Sequence, residues 1–140
     1  MYGITSKDLK KLQSLQNRAA RIVFRLDRRN SSAPLLRELH WLPLESRIVF
    51  KLMLLAYKGI HGLLPSYLTE FSFLMFHLEN LRSGDDKLRL AIPRTKRTLG
   101  DKAFTAAAPR LWNSLPIHIR QLPSIHRFKK SLKTHLFPTC

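Results

Sequence analysis

Apolar residues along this chain recur mostly at helical spacing. Leu12, Leu15, Ala19, Ile22 and Leu26 fall three and four positions apart, one apolar stripe, while Lys10, Lys11, Arg18, Arg21, Arg25 and Arg28 lie mostly off it. Ser6 is placed to cap this first helix, which starts at Lys7 and is broken by "RRNSS" at 28–32. Ser32 then caps a short helix carrying "LLRELHW", with Pro34 near the first turn, where a missing N–H is harmless. Pro43 stops that helix and opens a third, over Leu44 to Ile60. The third helix carries Ile48, Val49, Phe50, Leu52, Met53, Leu54, Leu55 and Tyr57, so it is apolar nearly all round, as a central core helix is. Arg47, Lys51 and Lys58 mark its one wet face. Gly62 fits the left-handed stop after it, and Pro65 begins a fourth helix, "PSYLTEFSFLMF".

From about Glu79 to Leu99 the helical pattern fails. "LRSGDDK" has the composition of a turn, "KLRLAIP" alternates Leu88, Leu90 and Ile92 as a short extended piece does, and "PRTKRT" is a basic loop. Helical spacing returns in "GDKAFTAAAPRLWNSLP" at 100–116. Asp101 is placed to cap it, and Phe104, Ala107 and Ala108 share a face. Pro109 is expected to end that helix and start another turn, to which Leu111, Trp112 and Leu115 bring apolar contacts. Pro116 and Pro123 bracket one short helical turn in "IHIRQL". Ser124 caps the last helix, where Ile125, Phe128, Leu132 and Leu136 form the stripe and Lys129, Lys130 and Lys133 lie off it. The expected fold is all-α, a compact bundle of about five to seven short helices with a long basic loop near residues 79–99. The 140 residues read as one domain: a helical core over 1–78, the loop, and a basic helical part over 100–140.

Charge sharpens this picture. Lys plus Arg is 25 against 9 acidic residues, a formal net charge of +16 and an isoelectric point near 11.0. Such an imbalance repels itself in the lone protein and attracts a polyanion. It is uneven: from Arg94 to Cys140 only Asp101 opposes ten basic residues, so +9 of the +16 lies in the last third. No single helix reads as both strongly basic and strongly amphipathic at its surface, which favours nucleic acid over an anionic membrane. The longest apolar run, "LMLLAY" at 52–57, is too short to span a bilayer, and "MYGITSKDLKKLQ" has no apolar signal-peptide core. The single cysteine, Cys140, cannot form an internal disulfide. The expected location is therefore nuclear or cytoplasmic, in a reducing compartment, without a membrane partner.

Catalytic chemistry finds little support. Asp85 and Asp86 in "SGDDK" evoke two-metal nucleotidyl transfer, which needs carboxylates holding ions about 4 Å apart. Here Ser83 and Gly84 precede them in a soft polar turn rather than a rigid hairpin, and an ordinary turn explains them. His40, His61, His77, His118, His126 and His135 form no tight ligand pair on one helix face, and there is no CxxC. Cys140 is too near the end to be held as a nucleophile. No glycine-rich phosphate loop exists. No enzyme, metal, cofactor or small-molecule substrate is expected. The remaining signal is basic: Arg94, Lys96, Arg97, Lys102, Arg110, Lys129, Lys130 and Lys133 are the candidate contacts to an RNA or DNA backbone. Trp41, Phe104 and Trp112 are candidates to stack on unpaired bases, although their helical spacing fits a core better.

Five stretches carry a family likeness when taken in order. They are "LKKLQSLQNRAARIV" (9–23), "LRELHWLPLESRIVFKLMLLAYKGIHGLLPSYL" (36–68), "LRLAIPRTK" (88–96), "GDKAFTAAAPRLWNSLP" (100–116) and "FKKSLKTHLF" (128–137). Together they resemble the segment downstream of the reverse transcriptase domain in LINE-type (non-LTR, jockey-like) retrotransposon polyproteins, over nearly the whole chain. The resemblance implies a truncated or separately translated tail of a polyprotein that copies element RNA at a nicked chromosomal site. The polymerase's metal-binding aspartates lie upstream of the matched region, and this chain lacks the aromatic-x-Asp-Asp motif, so no catalytic residue carries over. Binding template RNA or target DNA is the implied role. Two alternatives stay open: an inert translated fragment of a transposable element, and an interaction module docking on the upstream reverse transcriptase domain.

Overall fold

A computed structural model describes residues 4–67, 88–92 and 104–137. The described chain is all-α: α1 (Ser6–Val23), α2 (Ser32–Glu38), α3 (Leu44–Ile60), α4 (Phe104–Ser114), α5 (Ile117–Arg120) and α6 (Ile125–Leu136). Thr5, not Ser6, caps α1. Its Oγ1 accepts from the Asp8 N–H at 3.2 Å and donates to the Asp8 carboxylate at 2.6 Å, placing an acid in the first turn, where the helix dipole favours it. Likewise Ser31, not Ser32, precedes α2. Helix α3 has the predicted bounds, with Pro43 at its N-cap.

Three helices end in the same way. After α3, Gly62 (φ 65) donates to the Gly59 carbonyl and Leu63 donates back to Lys58 at 2.8 Å, the paired bonds of a Schellman stop. The same pattern closes α1, with Arg25 (φ 54) in the left-handed position and Leu26 donating to Arg21 at 2.9 Å. It also closes α2, with His40 (φ 53) in that position and Trp41 donating to Leu36 at 2.7 Å. His40 and Trp41, predicted to lie in the second helix, therefore lie in its stop.

Helix α3 is central and packs against α1, α4 and α6. Met53, Ala56 and Tyr57 of α3 share the main core with Leu90, Trp112, Leu115, Ile119, Phe128 and Leu132. Tyr57 stacks on Phe128 with ring centroids 4.3 Å apart, and Phe128 meets Trp112 at 5.8 Å. The Tyr57 hydroxyl donates to the Leu122 carbonyl at 2.9 Å, and burial pushes its pKa above the ordinary 10.0. A smaller core joins Ala20 of α1 to Leu35 and Leu36 of α2.

Ala106, Ala107, Ala108, Pro109 and Trp112 are all buried, and the small alanines let α4 approach α3 closely. Pro109 does not end the helix as predicted: α4 runs through it to Ser114. Proline removes only one main-chain bond, the one to the Thr105 carbonyl, and burial of the flanking residues outweighs that loss. Trp112 Nε1 donates to the Leu88 carbonyl at 2.7 Å. Asn113 Oδ1 accepts from the Leu90 N–H at 2.9 Å while its Nδ2 donates to the Leu90 carbonyl at 2.8 Å. One side-chain amide thus does for Leu90 what a neighbouring strand would do. Residues 88–92 are non-helical, as their alternation predicted, with Leu90 buried and Ile92 exposed.

The α1 stripe is not the buried face. Ile22 is 75% exposed and Leu15 58%, and Leu12 and Leu26 are exposed as well, whereas Ala20 is fully buried. The face carrying Gln13 and Gln16 turns inward because both side chains bond to the chain between α2 and α3. Leu26 lies beyond the helix end altogether. The chain is helical again at Ser66 and Tyr67. The rest of the predicted fourth helix, most of the predicted basic loop including "SGDDK" and "PRTKRT", and Asp101 lie outside the described residues.

Candidate nucleic-acid interface

A groove of about 630 Å³ opens between α1, the α2–α3 connection, α3 and α6. Leu15, Ala19, Leu42 and Phe50 give it an apolar surface. Arg47 and Lys51 from α3 and Lys133 from α6 bring three cations to the same groove, with His40 and Trp41 from the α2 stop. Gln16 is the remaining described lining residue, so among the described residues no carboxylate lines it. On α3, Arg47 and Lys51 are four residues apart and so lie one above the other on the same face.

The α2–α3 connection is fastened rather than loose. Gln16 Nε2 donates to the Leu42 carbonyl at 2.9 Å, and the Leu44 N–H donates to Gln13 Oε1 at 2.7 Å. Gln13 Nε2 in turn donates to Gln16 Oε1 at 3.0 Å and Asn17 Oδ1 at 2.9 Å, which fixes the amide orientations. With the Trp41 N–H held by Leu36, the backbone on both sides of the indole is tied down. Trp41 is 36% exposed, which corrects the expectation that it belongs to the core; Trp112 is wholly buried and Phe104 half-buried. Trp41 also borders a second depression of about 320 Å³, shared with Leu36, Pro43 and Phe137. Lys133 is half-buried, with Nζ 6.0 Å from the centroid of the Phe137 ring.

Of the predicted contacts among the described residues, only Lys133 enters the groove. Arg110 is exposed on α4, Lys130 is exposed and Lys129 half-buried on α6, none of them at the groove. Arg94, Lys96, Arg97 and Lys102 lie outside the described residues. Arg120, counted in the basic third, is only 6% exposed and donates Nε to the Leu115 carbonyl at 3.0 Å, just past the C-terminal end of α4. That bond ties α5 to the end of α4. Sequence reading missed Arg47, Lys51 and His40 as groove residues, and it named Trp41 as a stacking candidate but favoured the core for it. The signal was present in the i, i+4 pair of cations flanking Phe50, and in a tryptophan placed just before the helix-opening Pro43.

Helix α1 also corrects an expectation about the surface. Lys7, Lys10, Lys11 and Arg18 are exposed on the same helix as the uncovered Leu12, Leu15 and Ile22, so one helix is both basic and amphipathic at the surface. Among the described residues no helix is long and apolar enough to cross a membrane, and no three His, Cys, Asp or Glu side chains converge as metal ligands would. The His61 ring meets Tyr57 tilted, with centroids 4.1 Å apart, outside the groove lining, and desolvation lowers its pKa from the ordinary 6.5. No family model, curated protein or solved structure matches the chain.

Proposed function

We propose that this chain is a non-catalytic, basic nucleic-acid-binding module acting in the nucleus or cytoplasm as the tail of a LINE-type retrotransposon reverse transcriptase polyprotein. The observation that carries the binding role is the groove in which Arg47, Lys51 and Lys133 meet with no carboxylate among the described lining residues. Cations gathered without a local counter-charge gain most from phosphate, because each contact releases condensed counterions. The net charge of +16 supports the same reading by drawing a polyanion toward the whole surface. Arg110, Lys129 and Lys130 would add phosphate contacts beyond the groove, and the sequence offers Arg94, Lys96, Arg97 and Lys102 as further candidate contacts. The polyprotein origin rests on the motif resemblance alone.

Fluorescence anisotropy with labelled RNA and DNA tests this. Three groove contacts to a single strand give a slope of log affinity against log salt of about −2, and each of Arg47→Ala, Lys51→Ala and Lys133→Ala flattens it by about 0.7. No binding at low salt, or binding indifferent to salt, overturns the reading. A second reading, a module that docks on the upstream reverse transcriptase domain, is favoured by the uncovered apolar residues Leu12, Leu15 and Ile22 of α1.

A further inference from the structure

We propose that Trp41 is a stacking platform for an unpaired base, which makes the groove selective for single-stranded nucleic acid; this rests on the nucleic-acid reading above. The two tryptophans of the chain are used in opposite ways. Trp112 is wholly buried and its N–H is spent on the Leu88 carbonyl. Trp41 leaves over a third of its surface to solvent, on the groove that also holds Arg47, Lys51 and Lys133. An exposed indole on a slack loop would be unremarkable. This one lies in a Schellman stop and precedes a stretch clamped to α1 through Gln13 and Gln16, so little backbone freedom is lost when a ring settles on it.

The surroundings match a nucleotide part by part. The apolar surface from Leu15, Leu42 and Phe50 suits the face of a base, and the cations suit the phosphates on either side of it. The groove and the depression toward Phe137 both border Trp41. In a duplex the base faces are already occupied by their neighbours, so only an unpaired strand can use the indole. Stacking reads no base edges and is open to RNA and DNA alike.

The test compares four labelled probes at low salt: a 12-nucleotide oligouridylate, the matching oligothymidylate, a duplex of the same length, and an abasic chain of the same phosphate count. Expected results are preference for both single strands over duplex and abasic chain, and quenching of protein fluorescence by the single strands only. Trp41→Phe removes the quenching, leaving Trp112 silent, and keeps most of the affinity. Trp41→Ala weakens single-strand binding about 5- to 150-fold, the equivalent of one stacked base, and leaves abasic binding unchanged. Unaltered circular dichroism qualifies the alanine variant; should it misfold, the abasic comparison and Trp41→Phe decide alone. Equal affinity for base-bearing and abasic chains, without quenching, overturns the platform while leaving the phosphate reading intact. No binding of any probe overturns both. A blue shift of Trp41 emission on phosphatidylserine vesicles, with no response to single strands, overturns both in favour of a lipid surface.

Discussion

Arg25 and His40 hold left-handed backbone, at φ 54 and φ 53, in the position where Gly62 ends α3. A side chain there crowds Cβ against the following carbonyl, at a cost of about 1 kcal/mol relative to glycine. Both stops nevertheless form, because the paired main-chain bonds and the packing of Ala20 against Leu35 and Leu36 compensate. Arg25 offers the cleaner measurement, being exposed and away from the 630 Å³ groove. Arg25→Gly is expected to stabilise the protein by up to about 1 kcal/mol, read as a rise of a few degrees in melting temperature. Arg25→Ala keeps the Cβ and removes the same charge, so it should change stability by no more than a few tenths of a kcal/mol. Equal stabilisation by both would assign the effect to charge, not to backbone strain.

Between elements, the contact most dependent on one side chain joins α4 to residues 88–92. Asn113→Ala removes both bonds to Leu90 and strands a buried N–H and carbonyl, which should cost about 2 kcal/mol in a thermal or urea melt. Ser114→Ala next door removes only an exposed bond to the Leu111 carbonyl and should stay within about 0.5 kcal/mol. Should the two variants melt alike, the Asn113 amide is not what holds the extended segment. The contrast also marks what sequence can reveal. Helix α3 was legible to its ends because Pro43 and Gly62 punctuate both, and α6 because its four-residue stripe runs straight on from Ser124. The helix α1 face was misjudged because its buried line is set by Gln13 and Gln16 bonding to residues 42 and 44, a pairing over 26 to 31 positions that periodicity does not register. Pro109 misled for a related reason: local rules count the lost bond and omit the tertiary burial that outweighs it. The groove draws on four parts of the chain, so only its ingredients, Lys133 and Trp41, were visible beforehand.

At the scale of the whole molecule, net charge acts on folding and on binding with opposite signs. The surplus of +16 repels itself most in the folded state, where the charges are closest together. Salt shortens the screening length from about 30 Å at 0.01 M to about 10 Å at 0.1 M and so relieves that repulsion. The free protein should therefore melt several degrees higher at 0.3 M than at 0.01 M sodium chloride. A single-stranded oligonucleotide that binds only the folded state adds stability as RT ln(1 + [L]/Kd), about 2.7 kcal/mol at a hundredfold excess over Kd. Its Kd weakens with salt, so that added stability shrinks as the free protein gains its own. Melting temperatures measured with and without oligonucleotide should lie furthest apart at low salt and converge as salt rises, the lower curve climbing toward the upper. Two parallel curves would mean the oligonucleotide is held by contacts that release no counterions, and the basic surface would then have no part in binding it.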